Sequence, residues 1–358
     1  MIEKNSPSVE QFRFRLPRVR DLKLVFRIPH PADSLSSAYF LAYLFTAFIV
    51  FGAILLLLPV SSASGDFTHP IDALFTAASA VCVTGLTVVE TATHWSTFGQ
   101  AVILILFQVG GLGFIIGATV LLLAIGGRFG LKERLVISES LGADRLGGVL
   151  GVAARIVVFS LLSEAAGTLL LYLHWSSTGN TSVTLWTAVF HAVSAFNNCG
   201  MDIFTNSSSL SAYQGDAVVL LITMLLIVLG STGYFIVADI ARKRNWAKLA
   251  FDSKIVLAAT GVIIVIGTLF YTIAEYSNQS TLGSLGFFQK ILGGIFQSVT
   301  TRTAGFSAFD MGALSQVALL FTIILMCIGG AAGSVAGGVK VNTIGIIGIT
   351  ILNVFKGK

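Results

Sequence analysis

The chain alternates between long apolar stretches and short polar segments. Six of the stretches reach the length of about 20 residues that a helix needs to cross the hydrocarbon core of a bilayer. They lie at about residues 38–60, 98–125, 150–175, 217–240, 254–276 and 316–354. The pattern therefore predicts an all-α polytopic membrane protein with six crossings.

Three further apolar segments, at residues 70–81, 183–196 and 285–299, are too short to cross. Twelve to fifteen helical residues extend over about 18–22 Å, whereas the hydrocarbon core is about 30 Å thick. Each segment lies between two predicted crossings. It is either a helix on the membrane surface or a re-entrant helix, which dips in and returns as extended backbone surrounded by protein or a watery cavity.

An internal repeat favours the re-entrant interpretation. The three short segments align without gaps on Gly85, Gly200 and Gly305, which are 115 and 105 residues apart. A large apolar residue follows each glycine, and another precedes it by ten positions. The chain is thus predicted to consist of repeated units of span, re-entrant pore helix, glycine turn and span around a central ion pore.

Glycine at these positions has a physical reason. Consecutive carbonyl groups that point to one axis require backbone angles that glycine adopts at little cost. Carbonyl oxygens replace the hydration shell of a cation, and the negative ends of the preceding helix dipoles favour positive charge there. Three such turns at matched offsets indicate a cation pore.

The sixth apolar stretch is too long for one crossing. Its 39 residues would extend over about 58 Å as a helix, and five glycines lie within residues 329–338. The sequence predicts a helix, an intramembrane loop and a second helix, with Lys340 as an intramembrane charge. A small-residue face for tight helix packing is the alternative, and the shorter glycine clusters at 110–113 and 230–233 are interpreted in that way.

Composition and charge agree with a membrane location. Only 11% of the residues are charged, against about 25% in soluble domains, which excludes a soluble enzyme or a nucleic-acid binder. Three cysteines without ligand spacing indicate neither a disulfide framework nor a zinc site. Of 22 Lys and Arg residues, 19 lie in four clusters, at 4–27, 128–155, 242–254 and 356–358. The positive-inside rule then predicts a cytoplasmic N-terminus.

Four motifs resemble one family. Residues 83–86 (Val-Thr-Gly-Leu), 195–198 (Ala-Phe-Asn-Asn), 301–306 (Thr-Arg-Thr-Ala-Gly-Phe) and 333–340 (Gly-Ser-Val-Ala-Gly-Gly-Val-Lys) are similar to the Trk/Ktr/HKT superfamily of potassium transporters, above all to its bacterial Ktr-type membrane subunits. The resemblance implies potassium uptake across the bacterial cell membrane, with sodium dependence left open. It implies no tightly bound cofactor and no enzymatic activity. It also implies a homodimer in membrane lipid, on a cytosolic ring of nucleotide-binding regulatory subunits, without nucleic acid.

The resemblance also assigns residues. K⁺ would be coordinated by backbone carbonyls of a selectivity filter formed by Val83, Thr84, Gly85, Asn198, Cys199, Gly200, Thr303, Ala304 and Gly305. Support for the filter would come from Asn197 and Arg302. The intramembrane gate would be formed by Gly329, Gly330, Gly333, Ser334, Gly337, Gly338 and Lys340.

The family has four repeats, whereas three are present here. The expected division is a basic arm at 1–37, repeats at 38–126, 148–241 and 253–358, and cytoplasmic loops at 127–147 and 242–252. The spacing places a fourth filter glycine near residues 410–420, so the sequence is expected to be a fragment, or else another chain supplies the missing quarter.

Single residues carry further expectations. Arg302 is predicted to form an ion pair with Asp202 or Asp310, and the alternative is a charge that tunes ion occupancy. Glu164, near the middle of the third crossing, is predicted to be neutral or to have a structural partner, and the alternative is a role in ion transport. Two other functions stay open. One is an intramembrane hydrolase with Ser334 as nucleophile and His191 as base. The other is a secondary transporter of another solute.

Overall fold

The computed structural model describes residues 31–113, 149–179, 183–204 and 209–356. The chain divides into two compact units, Met1–Leu41 and Ala42–Lys358, and the contacts below lie within the second. The predicted loop at 127–147, the basic cluster at 4–27 and residues 128–148 of the cluster at 128–155 lie outside the described residues.

Every regular element of the described ranges is a helix. The α-helices are α1 (Pro31–Leu57), α2 (Pro70–Val81), α3 (Thr91–His94), α4 (Thr97–Gly111), α5 (Val149–Ser177), α6 (Leu185–Phe196), α7 (Ala217–Thr232), α8 (Tyr234–Lys243), α9 (Phe251–Ala274), α10 (Phe287–Thr300), α11 (Gln316–Met326) and α12 (Val341–Phe355).

Two helices in these ranges are by themselves long and apolar enough to cross a membrane, Gly151–Ser177 and Phe251–Ala274. The pair α7 and α8 is a third if it is taken as one span. Shorter apolar helices occupy the described parts of the other predicted crossings, at Phe45–Leu57, Thr97–Gly111, Gln316–Met326 and Val341–Phe355. By length and composition, the described residues thus supply two or three of the six predicted crossings.

The fourth predicted crossing, residues 217–240, is not one straight helix. Its two halves meet at an angle of 97°. Gly233 forms the corner with a φ of +79°, and its N–H donates to the Leu229 carbonyl at 3.3 Å, which ends α7. The cluster Gly230-Ser231-Thr232-Gly233 lies at this corner, so the predicted span is a bent pair of helices rather than one straight helix.

The second and sixth predicted crossings are interrupted as well. In the second, α4 ends at Gly111, and Gly113 has a φ of +78°; residues 114–125 lie outside the described part. The sixth crossing is broken as predicted, because α11 ends at Met326 and α12 begins at Val341.

The short helices α2, α6 and α10 lie where the three short apolar segments were predicted. Each helix begins at a local sequence signal. Pro70 is the first residue of α2, and the Thr184 hydroxyl accepts the Thr187 N–H at 3.2 Å at the start of α6. At the start of α10, the Gln289 side chain accepts the Gly286 N–H. Helix α2 packs against α4, α6 against α5 and α7, and α10 against α9 and α7.

Buried aromatic side chains mark two hydrophobic clusters. One surrounds Trp95, Phe107 and Phe190; the other contains Trp175 and Phe296. The outward faces of α5 and α9 are also apolar, with exposed Leu161, Leu162, Leu169, Val262, Val265, Ile266 and Leu269. Contiguous apolar surface of this kind suits contact with lipid rather than water.

Candidate functional site: three glycine turns and a glycine-rich loop

The chain adopts the same backbone conformation after α2, α6 and α10. In each turn, the glycine and the residue two positions before it both have positive φ angles. The pairs are Val83 (+55°) with Gly85 (+74°), Asn198 (+55°) with Gly200 (+76°), and Thr303 (+65°) with Gly305 (+83°). A non-glycine residue in this region costs on the order of 1–3 kcal/mol and persists only where its surroundings impose it. Three matched instances indicate that one geometry is imposed on all three turns.

The three turns pack against one another. A Cβ atom built on Gly85 would overlap the Cys199 carbonyl oxygen. A Cβ on Gly200 would lie 2.8 Å from Gly305 Cα, and it would also meet the Ala304 carbonyl. Glycine is therefore required at 85 and 200 both for its φ angle and for the close approach of the next turn.

Two hydroxyl groups that sequence reasoning did not single out hold the turns in place. The Ser79 hydroxyl donates to the Leu86 carbonyl at 2.7 Å, and the Thr300 hydroxyl donates to the Phe306 carbonyl at 2.7 Å. Each bond joins the end of a short helix to the residue just after the glycine. The available signal was a Ser or Thr five or six positions before the glycine.

A cavity of about 600 Å³ lies between the first and third turns. It is lined by predicted filter residues of both, including Val83, Gly85, Thr303 and Gly305, and by Gly337 of the loop between α11 and α12. Asn198 of the second turn also reaches the lining, whereas Cys199 and Ala304 are buried. The structure therefore brings the predicted filter and part of the predicted gate to one place.

The loop at residues 327–340 has a closed neck. The Gly329 N–H donates to the Val339 carbonyl at 2.9 Å, and the Val339 N–H donates to Cys327 at 3.0 Å. A Cβ on Gly329 would overlap the Gly337 carbonyl oxygen. The close contact therefore requires glycine at 329, and the two hydrogen bonds hold the two ends of the loop together.

The same loop is attached to the corner between α7 and α8. The Ala331 N–H donates to the Ser231 carbonyl at 2.8 Å, and the Val335 N–H donates to Gly230 at 3.4 Å. Within the loop, the Ser334 hydroxyl donates to the Ala331 carbonyl at 2.7 Å, and Lys340 Nζ donates to the Ala336 carbonyl at 2.6 Å. Backbone hydrogen bonds thus fix the loop in one arrangement.

Arg302 does not form the predicted ion pair. Its side chain is 2% exposed, and among the described residues neither Asp202 nor Asp310 pairs with it. Instead, Nη2 donates to the Gly329 carbonyl at 3.5 Å. Arg302 therefore connects the third turn to the neck of the loop, and the prediction of an ion pair is wrong.

Glu164 has partners, as predicted. Gln108 Nε2 donates to its Oε1 at 3.0 Å, and Asn197 Nδ2 donates to the same oxygen at 3.2 Å. Sequence reasoning overlooked Gln108, although an amide directly after the apolar run 101–107 of α4 was the available signal.

The Ser334 and His191 side chains are not arranged as a nucleophile and its base. His191 is buried, and its Nε2 pairs with the Thr223 hydroxyl at 3.0 Å. The Ser334 hydroxyl donates to a backbone carbonyl. No hydrogen bond joins the two side chains, so the geometry that defines such a pair is missing.

One glycine in α4 and one in α7 allow the C-terminal ends of the short helices α2 and α6 to approach closely. A Cβ on Gly110 would overlap the carbonyl oxygen of Val81, the last residue of α2, and a Cβ on Gly230 would overlap that of Phe196, the last residue of α6. Both glycines thus lie where α4 and α7 contact a short helix, as their interpretation as packing residues requires.

We expect Gly230→Ala to lower the free energy of unfolding by about 1–3 kcal/mol, the usual effect of overpacking. Gly261→Ala on α9 is the control, because a Cβ there meets nothing within 4 Å and alanine favours a helix. Thermal unfolding of the detergent-solubilised protein measures both. Equal melting temperatures for the two variants would contradict the packing role.

The apolar helices of the described ranges define a membrane protein. The model of the TrkH family, described as "Cation transport protein", matches residues 31–357, so the chain belongs to the TrkH family of cation transport proteins. It is 38% identical over 331 residues to Ktr system potassium uptake protein B of Bacillus subtilis, covering 92% of this chain and 72% of that protein.

Two other similarities agree with the family. The chain is 36% identical over 324 residues to the potassium/sodium uptake protein NtpJ of Enterococcus hirae, covering 90% of this chain and 71% of that protein. Its fold is similar to the crystal structure of the potassium transporter TrkH from Vibrio parahaemolyticus, with a TM-score of 0.68 and 19% identity. That match covers 94% of this chain and 64% of the TrkH chain.

Proposed function

We propose that this chain is an ion-translocating membrane subunit for potassium uptake. The observation that carries the proposal is the matched backbone of the three glycine turns, which pack together beside one cavity. Membership of the TrkH family and the potassium uptake names of the relatives from Bacillus and Enterococcus support it.

In this proposal, the three turns form a selectivity filter of backbone carbonyls. Helices α2, α6 and α10 end just before the turns, so the negative ends of their dipoles favour a cation there. Carbonyl oxygens from residues 83–85, 198–200 and 303–305 would replace part of the hydration shell of K⁺. The loop at 327–340 would be the gate, because its residue Gly337 lines the same cavity.

The proposal extends to topology and assembly. Spans and re-entrant helices would form repeats at 38–126, 148–241 and 253–358 in a bacterial cell membrane, with a cytoplasmic N-terminus. The basic residues of segment 242–254, most of them exposed, suit the inner face. We further propose a homodimer on a cytosolic nucleotide-binding ring, since "Ktr system" in the name of the Bacillus relative implies further components.

Sodium is the second candidate for the transported or coupled ion. The relative from Enterococcus is named as a potassium/sodium uptake protein. Uptake measured with both ions present distinguishes transport of potassium alone from transport of potassium together with sodium.

Uptake by cells tests the proposed function. The protein, supplied with a fourth repeat of the kind that the family pattern expects and produced together with a Ktr-type cytosolic subunit in a bacterial strain without its own potassium uptake systems, should restore growth at low external potassium and accumulate K⁺ or Rb⁺. Absence of uptake although the protein is present in the membrane would contradict the proposal. Transport of an organic solute instead would favour the alternative of another secondary transporter.

A further inference from the structure

A buried carboxyl group joins three helices beside the second turn. Glu164 on α5 is 4% exposed. Its Oε1 accepts hydrogen bonds from Gln108 of α4 at 3.0 Å and from Asn197 at the end of α6 at 3.2 Å. Asn197 Nδ2 also donates to Gln108 Oε1 at 2.7 Å. The three side chains therefore form a closed polar group between apolar helices.

Helix packing alone does not require this group. In the described part of the chain, no lysine or arginine pairs with Glu164. An ionisable side chain within a membrane is expensive and is usually retained for a function. Asn197 Nδ2 has three acceptors, Gln108, Glu164 and the Val193 carbonyl, whereas Asn197 Oδ1 has no hydrogen-bond partner. The hydrogen bonds that are made favour one arrangement of the neighbouring helices, because a displacement would break them.

The group lies at the start of the second turn. Asn197 is the C-cap of α6 and is fully buried. The next residue, Asn198, is the first with positive φ, and its Nδ2 donates to the Arg302 carbonyl of the third turn at 3.5 Å. The carbonyl of Cys199, one residue further, contacts Gly85 of the first turn closely. A shift of Asn197 would therefore move the carbonyl that meets the first turn.

We propose that Glu164 is a positioning residue, which acts through Asn197 to fix the second turn and so contributes to the preference for potassium over sodium. This inference rests on the proposed function. Glu164 does not touch the ion. Its contribution is the acceptor oxygen that Gln108 and Asn197 share.

Two substitutions at this position separate the acceptor from the charge. Glu164→Leu removes the acceptor, so Gln108 Nε2 loses its partner and Asn197 Nδ2 keeps only the Gln108 side chain and the Val193 carbonyl as acceptors. A donor left without a partner away from water is costly. Glu164→Gln removes the ionisable group but keeps an acceptor oxygen on a side chain of similar size. Ser163→Ala is the matched control, because the Ser163 hydroxyl bonds only locally, to the Phe159 carbonyl.

The test is potassium uptake in competition with sodium, in the cells described above and with the cytosolic subunit present. We expect Glu164→Leu to lower the potassium-over-sodium ratio by about tenfold, a factor that corresponds to a modest change in relative ion binding. The KM for potassium should rise as well. Glu164→Gln and Ser163→Ala should stay close to the unchanged protein. A purely structural role predicts less protein in the membrane with the ratio and KM unchanged, and that result would overturn the inference.

Gly85→Ser, measured in the same cells, separates the inference from the function on which it rests. If Gly85→Ser lowers the ratio and Glu164→Leu does not, the inference is wrong and the filter stands. If neither substitution lowers the ratio, both the inference and the assignment of the filter are wrong. If Glu164→Leu does not reach the membrane, Gln108→Leu removes another side-chain acceptor of Asn197, which keeps Glu164 and the Val193 carbonyl, and should also lower the ratio. An unchanged ratio in that variant would overturn the inference equally.

Discussion

Replacing Gly85 with serine should remove most of the preference for potassium over sodium. Gly85 has a φ of +74°, and a Cβ there would overlap the Cys199 carbonyl. Serine therefore displaces a carbonyl of the second turn as well as straining the first. Because about 1.4 kcal/mol of relative binding corresponds to tenfold, we expect a loss of roughly tenfold or more in the ratio measured by competitive uptake.

Gly65→Ser is the control for backbone strain. Gly65 has a φ of +78°, close to that of Gly85, but it is exposed and a Cβ there meets nothing within 4 Å. Both substitutions carry a strain of about 1–2 kcal/mol, and only one of them disturbs another turn. Equal selectivity of the two variants would refute the assignment of the filter.

Deletion of residues 331–337 should increase potassium flux. The deletion removes the hydrogen bonds of Ala331 and Val335 to the corner between α7 and α8. Gly330 and Gly338 flank the closed neck at Gly329, so the shortened chain has little distance to span. Each of the two hydrogen bonds that attach the loop to this corner contributes about 0.5–1.5 kcal/mol. A rise of roughly tenfold in the initial rate of uptake is therefore expected.

A single substitution tests the gate without shortening the chain. Gly330→Ala places a Cβ against the Ser231 carbonyl, whereas at Gly348 of α12 a Cβ meets nothing within 4 Å. We expect Gly330→Ala to raise the flux in the same direction as the deletion and Gly348→Ala to leave it unchanged. Reduced or unchanged flux in a deletion variant that is present in the membrane at normal level would count against a gate.

Local signals explain why much of the fold could be predicted. Pro70 at the start of α2 and the glycines that follow the three short helices act within a few residues of the structure they determine. The broken sixth stretch was predictable for the same reason, since five glycines within ten residues do not sustain a helix.

Other features depend on neighbours that are distant in sequence. A valine, an asparagine and a threonine adopt positive φ before the turn glycines, against their own preference. The glycine and hydroxyl cluster at 230–233 does not by itself decide between helix packing and the corner at Gly233. The partner of Arg302 could not be predicted either, because the choice between a carboxylate and the Gly329 carbonyl is decided by three-dimensional placement.

The mutual packing of the turns has a consequence for the order of biosynthesis. Gly85 meets Cys199, and Gly200 meets Ala304 and Gly305, so the first and second turns are each completed by a residue more than a hundred positions further along the chain. Contacts between such distant residues form late in folding, because the long intervening segment must first be closed. An early repeat that has already entered the membrane therefore still lacks its final turn geometry. In the proposed function, the ion path therefore cannot form before the third repeat has entered the membrane.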